Sequence, residues 1–281
     1  MKQATTQTGT LGILAGRGDL VQGLLNHCKE SGMPYFVAAF EDQTQKELVE
    51  GHPHGFVNLA KVGALIDMLR THGVDRIVMA GHFTRPDSWG SLKPDFKGAL
   101  VIAKIISQPS GDDGLLRILI KFLEGEGFKV LGVEEILGAE VLAPTGLLGT
   151  VAIPDPSLGD ISRGLEVLKA LSPLDVGQAC VVQGGVVLGI EGAEGTDGLI
   201  DRCGSLKAKG PGPVLVKMLK LGQETRVDRS TIGPQTIAKA HAAGFAGIAI
   251  QGQGVIVLNA TKTIDLANSF GVFLTGIEFP K

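Results

Sequence analysis

The sequence predicts two α/β domains, residues 1–140 with a parallel sheet and residues 141–281 with a mixed one. Three observations lead there. Over the first half, short apolar runs alternate with amphipathic helical patterns, which is how βα units read. Between Pro144 and Pro156 the composition shifts to Pro, Gly and Thr, as at a domain boundary. Beyond it, Gly184-Gly185 and the stretch Gln251–Gly254 each lie between β-like runs and read as hairpin turns, which join antiparallel neighbours.

In order, residues 1–10 are polar, and Leu11–Ala15 has the pattern of a buried strand. Gly16-Arg17-Gly18-Asp19 follows, then a helix from about Leu20 to Glu30 with Leu20, Leu24 and Cys28 on one face. Strand, glycine turn and helix in that order can seat a phosphate at the helix N-terminus, so Gly16 and Gly18 are candidate substrate-binding positions. The turn is only G-x-G, and Asp19 would oppose an anion there. Tyr35–Phe40 supplies a second, parallel strand, which makes the first domain Rossmann-like. A helix over Leu59–Thr71 buries Val62, Leu65, Ile66 and Leu69, and a strand over Arg76–Ala80 runs into Gly81-His82-Phe83-Thr84-Arg85-Pro86-Asp87. C-terminal strand ends face the ligand crevice of an open parallel sheet, which makes Arg85 and Asp87 candidates for substrate binding. His52 and His54 read as a polar loop. Helices are expected over Gly98–Ile106 and Asp113–Glu126, where Asp112 and Asp113 suit the helix dipole as well as any function. A strand over Val130–Val133 closes the unit.

In the second domain, Ser157-Leu158-Gly159-Asp160 reads as a capping box for a helix reaching Leu171. Strands are expected at Ala179–Gln183, Val186–Glu191 and Val214–Val216. Gly233-Pro234 opens a helix to about Ala243, since proline suits the first helical turn. Strands at Gly247–Ile250 and Val255–Leu258 form the second hairpin, and a short helix through Asp265–Asn268 precedes a last strand at Val272–Leu274.

Composition excludes several classes. With 26 basic and 29 acidic residues and 44% apolar residues, the chain is a folded soluble protein with no global pull toward nucleic acid. Cys28, Cys180 and Cys203 are odd in number and widely spaced, which argues against a disulfide framework and a cysteine zinc site. No apolar segment precedes the first strand and no run of about 18 apolar residues occurs, so neither a secretory leader nor a membrane span is expected. A cytoplasmic enzyme follows as the expectation.

The chemistry concentrates late. Lys207–Asp228 carries Lys207, Lys209, Lys217, Lys220 and Arg226 against Glu224 and Asp228, while the stretch just upstream holds Glu191, Glu194, Asp197 and Asp201 without a base. Cations beside carboxylates suit a phosphorylated substrate with a divalent cation. Lys217, Lys220 and Arg226 could neutralise a diphosphate, or could line a solvated strand edge. Asp228 could bind Mg²⁺, or could cap the turn before Thr231.

At these residues a family resemblance enters. GQETRVDRSTIGPQTI, with GILAGRGDL, AGHFTRPD and EGAEGTDGLI, resembles the bacterial UDP-2,3-diacylglucosamine pyrophosphatases of lipid A synthesis, the metal-dependent type unrelated to the calcineurin-like phosphoesterases. The likeness runs over nearly the whole chain, and QETRVD-x-x-TIG is its most distinctive block. It implies a Rossmann-like N-terminal and an α/β C-terminal domain, a lipid substrate held between them, and Mg²⁺-dependent hydrolysis to UMP and 2,3-diacylglucosamine 1-phosphate. It places the essential aspartate at Asp228, catalytic partners at Arg226, Lys220 and Glu224, and substrate contacts at Thr196, Gln223 and Thr225; Lys217 is an expected substrate contact by its charge. Asp197 and Glu194 join Asp228 as expected Mg²⁺ ligands. The family pattern commonly has asparagine where this chain has His82. The expected partner is a nucleotide-linked lipid and not nucleic acid; transient contact with the cytoplasmic face of the inner membrane and a homodimer complete the expectations. A dinucleotide-dependent oxidoreductase and a non-catalytic nucleotide-sugar-binding protein stay open as alternatives.

Overall fold

The computed structural model describes residues 9–84, 92–107 and 112–278. Arg85 and Asp87 lie outside them. The chain forms two compact units: the described residues up to Gly138 together with Glu224–Asp228, and Ala139–Gln223 together with the described residues from Arg229 onward.

The first unit runs β1 (Thr10–Ala15), α1 (Asp19–Ser31), β2 (Tyr35–Phe40), α2 (Lys46–Val49), β3 (His54–Val57), α3 (Val62–Thr71), β4 (Val74–Ala80), α4 (Phe96–Ser107), α5 (Asp112–Gly125), β5 (Lys129–Leu131) and α6 (Val133–Leu137). Its sheet is parallel throughout, in the order β3-β2-β1-β4-β5. β1, β2 and β4 are almost continuously apolar because helices cover both faces of such a sheet, and Leu11, Ile13, Val37, Ile77 and Val78 are all fully buried. His54 opens an edge strand where a polar loop was expected. Its segment reads as polar because an edge strand keeps solvent on one side.

The second unit contains a 3₁₀ turn (Ala139–Val141), β6 (Gly146–Leu148), α7 (Asp155–Leu171), a second 3₁₀ turn (Ser172–Leu174), β7 (Ala179–Gln183), β8 (Val186–Ile190), α8 (Gly195–Gly204), β9 (Val214–Lys217), β10 (Thr231–Ile232), α9 (Pro234–Ala242), β11 (Gly247–Gln251), β12 (Ile256–Val257), α10 (Ala260–Phe270) and β13 (Phe273–Ile277). Six strands form a mixed sheet ordered β6-β13-β11-β9-β7-β8, with β9, β11 and β13 parallel and β6, β7 and β8 antiparallel to their neighbours.

The Gly184-Gly185 hairpin forms as the sequence predicts, but the one expected at Gln251–Gly254 does not. β11 is already flanked by β9 and β13, so the chain leaves that sheet through a turn with Gln253 at φ 58°. β12 then pairs in parallel with β10 in a separate two-stranded sheet. The capping box at Ser157–Asp160 is also corrected: α7 starts earlier, at Asp155, with Pro156 in its first turn. Asp160, buried inside the helix, instead accepts hydrogen bonds from the amides of Gly184 and Gly185 at 3.1 and 2.7 Å. Both glycines have positive φ, and the carboxylate pins the tight turn they make.

Candidate functional site

In the first unit, the strand order reverses between β1 and β4, whose carboxyl ends lie side by side. This is where an open parallel sheet leaves a crevice. Here two backbone hydrogen bonds cross it: Arg17 N–H to His82 O at 3.0 Å, and His82 N–H to Arg17 O at 2.9 Å. A Cβ on Gly16 would sit 2.6 Å from His82 O, so glycine at 16 is required by this close approach. Gly18 precedes α1 at φ 103°. The Arg17 guanidinium donates to the carbonyls of Gln43 and Asp42 at 2.8 and 2.5 Å. Because His82 is exposed and contributes backbone to the bridge, the exchange of asparagine for histidine there leaves the bridge intact.

The segment Glu224–Asp228 belongs to the same unit, although the sequence around it folds into the other. Val227 packs against the hydrophobic cluster that includes Leu65, Ile120 and Leu123. The Glu224 amide donates to Asp113 Oδ1 at 2.7 Å. The Arg226 guanidinium forks onto Glu224, with Nε–Oε1 and Nη2–Oε2 both at 2.9 Å, and its Nη1 reaches Glu124 Oε1 at 2.7 Å. That fork holds the Glu224 carboxyl below its usual range, and the two carboxylates hold the Arg226 guanidinium firmly protonated. Asp228 ends the segment half-buried, its amide on Glu224 O at 3.3 Å, and Thr225 is likewise half-buried.

The second unit gathers another set. Lys217, at the end of β9, is 6% exposed and donates from Nζ to Thr196 Oγ1 at 2.5 Å. Thr196 in turn donates to Glu191 Oε1 at 2.6 Å, and Glu191, 8% exposed, also accepts from the Gln178 amide at 2.8 Å. Nζ of Lys217 lies 3.9 Å from Glu191. Three residues later Lys220 is paired with Asp175, and Gln223 accepts from the Lys220 amide at 2.9 Å. Sequence reasoning placed Glu191 in the acidic stretch but missed Asp175, Asp113 and Glu124 as partners of these groups. Nothing local in the sequence points to them, since they lie about forty-five or more residues from the groups they pair with.

Of the acidic stretch, Asp197 and Asp201 lie in α8 and Glu194 immediately precedes it. Glu194 binds Arg202 at 2.6 Å, and this bond holds its carboxyl below the usual range. Asp197, 46% exposed along its side chain, sits 3.6 Å from Lys239, whose ammonium is held up in pKa by Asp201. Among the described residues no three His, Cys, Asp or Glu side chains are arranged to hold a metal ion. A protein-only cage is therefore absent from the described residues, but Mg²⁺ does not require one. It is commonly held by one or two carboxylates, substrate phosphates and water. On donor chemistry the carboxylate of Asp228 suits such an ion; Glu194 and Asp197 are carboxylates too, paired with Arg202 and Lys239. The thiols of Cys28, Cys180 and Cys203 are free and buried, with burial pushing Cys180 up to about 12. No helix among the described residues is long and apolar enough to cross a membrane.

A Rossmann-type parallel sheet and a mixed α/β unit, with charged clusters at the QETRVD block, define a two-part α/β protein. Family comparison makes the assignment specific. The LpxI N-terminal domain matches residues 10–139 and the LpxI C-terminal domain matches residues 144–275. The chain belongs to the LpxI family. It is 35% identical over 275 residues to UDP-2,3-diacylglucosamine pyrophosphatase LpxI of Caulobacter vibrioides, covering 95% of this chain and 97% of that protein. Among solved structures, CobK precorrin-6A reductase is 13% identical with a TM-score of 0.34, spanning 98% of this chain and 89% of its own. The Bordetella bronchiseptica enzyme WbmG, in complex with NAD and UDP, is also 13% identical with a TM-score of 0.34, over 96% and 82%. At such TM-scores neither likeness carries an argument.

Proposed function

We propose that this chain hydrolyses the diphosphate of UDP-2,3-diacylglucosamine to UMP and 2,3-diacylglucosamine 1-phosphate, a step of lipid A biosynthesis. The observation that carries the reading is the match of both LpxI domains, in order, to nearly the whole chain. In the reaction a water oxygen bonds to phosphorus and the bridging P–O bond breaks, with the water proton passing to solvent or to the departing phosphate. The diphosphate is already anionic and repels the incoming oxygen, so its charge must be offset before attack.

Asp228 would hold Mg²⁺ together with the substrate phosphates, and the ion would supply charge neutralisation and a more acidic bound water. The remaining steps fall to the chain's own groups. Asp228 orients the attacking water. Lys217 and Lys220 bind the phosphates, with Gln223 and Thr196 fixing their directions; Gly16 and Gly18 bring backbone close to the substrate. Arg85 and Asp87 are carried forward as substrate contacts on the resemblance alone. Two acyl chains on the substrate imply transient contact with the cytoplasmic face of the inner membrane, which co-sedimentation with substrate-loaded vesicles would detect. A homodimer is part of the same reading and is measurable by light scattering.

The test is UMP release by the native chain and by Asp228→Asn, with and without Mg²⁺. The substitution keeps size and removes charge, so the fold is expected to survive. Turnover should fall by more than about a hundredfold, and added Mg²⁺ should restore little of it. Near-native turnover in Asp228→Asn would remove this residue from the mechanism. A native chain that releases no UMP would remove the enzymatic reading.

A further inference from the structure

We infer that Asp113 and Glu124 of α5 are positioning residues for Asp228, acting through Glu224 and Arg226; the inference rests on the hydrolytic reading proposed above. Asp113 and Glu124 lie near opposite ends of α5, about three helical turns apart and so on one face of it. The Glu224–Asp228 segment is fastened to both. At one point the Glu224 amide is held by Asp113 Oδ1, whose Oδ2 accepts from Arg117 Nε at 2.7 Å. At the other, the Arg226 fork joins the Glu224 carboxylate to Glu124. Between these points Val227 is anchored in the apolar cluster, and the Asp228 amide returns to the Glu224 carbonyl.

The segment is short and has no strand or helix of its own. Its conformation therefore leans on side chains, and two that fasten it, Asp113 and Glu124, belong to α5. Arg226 has both edges of its guanidinium engaged by carboxylates, so its role in this arrangement is that of a strut. An arginine fork of this kind fixes direction as well as distance. A reacting group displaced by about 1 Å can lose about a hundredfold in rate, so a loosened strut should be felt at Asp228 without any change in substrate contacts.

The experiment compares the native full-length chain with Glu124→Gln, Glu124→Asp and Asp113→Asn. It measures kcat and KM for UMP release, the unfolding temperature, and amide hydrogen exchange over residues 224–228. Glu124→Gln and Asp113→Asn are expected to lower kcat by about tenfold each, with KM and unfolding temperature unchanged and exchange accelerated in that segment. Glu124→Asp keeps the charge and should recover most of the loss. Native kcat in both neutral variants would overturn the inference. A raised KM at native kcat would overturn it too, since Glu124 and Asp113 would then be acting on the substrate. If Glu124→Gln fails to fold, Glu124→Asp carries the same readouts, and native exchange in it alongside a lowered kcat would also count against positioning. A native chain without UMP release is a separate result: it removes the hydrolytic reading itself, whereas full turnover in the variants removes only the positioning.

Discussion

Arg226 and Lys217 are both cations of the same late stretch of sequence, yet their surroundings differ. Arg226 is about one-third exposed along its side chain and has its guanidinium shared between two carboxylates, Glu224 and Glu124. Lys217 is buried, its nearest partner is a neutral hydroxyl, and its carboxylate neighbour Glu191 is 3.9 Å away. An ammonium has three donors. One goes to the neutral Thr196, so most of the Lys217 charge is left for a phosphate oxygen, whereas the charge of Arg226 is already offset by two carboxylates. Burial adds to this, because a charge interaction is stronger where water is excluded. The comparison favours Lys217 over Arg226 as the group that offsets diphosphate charge, the reverse of what residue type alone suggests.

The largest effect that could break this comparison is expected at Lys217. Lys217→Met removes the buried cation and strands Glu191, and breaking a buried pair from one side costs about 3–5 kcal/mol. UMP release should also fall, by about a hundredfold or more. Adding Glu191→Gln to Lys217→Met should return much of the stability, measured by urea unfolding, and none of the turnover. If turnover instead survived in Lys217→Met and collapsed in Arg226→Gln with a raised KM, the duties would be exchanged.

How much of this was legible beforehand differs between the units. The parallel sheet was readable because a strand buried on both faces is a continuous apolar run, as at Leu11–Ala15 and Tyr35–Phe40. The second sheet was harder. Gln251–Gly254 has a hairpin's composition, and only the fact that β11 is already paired on both edges forbids one. Ser157–Asp160 fits a helix cap, but its aspartate serves a turn more than twenty residues away. The candidate site was legible as residue types and not as pairings. Arg226 could be seen, but its partner Glu124 lies over a hundred residues earlier on α5, a distance no local pattern encodes.

A smaller effect concerns acid. Arg226 holds the Glu224 carboxyl below its ordinary value of 4.5 in the folded chain. A carboxyl depressed by folding adds stability above its unfolded pKa, and that stability is lost as pH falls through the folded pKa. Native stability should therefore decline from about pH 4.5 downward, in part through this group. Arg226→Gln removes the cause of the depression, so its stability should change less over the same interval, from a neutral-pH value lower by about 1 kcal/mol. Urea titrations of both proteins at neutral and acid pH check this. Parallel acid profiles would mean that the fork does not form in solution, and the strut would lose its basis.

The smallest expected effect is at Asp197, and it sharpens the contrast between engaged and available charge. Asp197 lies in the first turn of α8, where a carboxylate is favoured by the helix dipole. It is nearly half-exposed and sits 3.6 Å from Lys239, which is closer still to Asp201 at 3.1 Å. Exposed pairs of this kind contribute about 0–1 kcal/mol. Removing one carboxylate leaves Lys239 its better partner, so Asp197→Asn should barely move the unfolding temperature. Its effect on UMP release at saturating Mg²⁺ should stay within about twofold. The informative measurement is the Mg²⁺ concentration giving half-maximal rate. An unchanged value fits a carboxylate serving α8 and Lys239. A value raised about tenfold or more would make Asp197 a ligand of the ion after all, with the pairing to Lys239 released when the metal and substrate arrive.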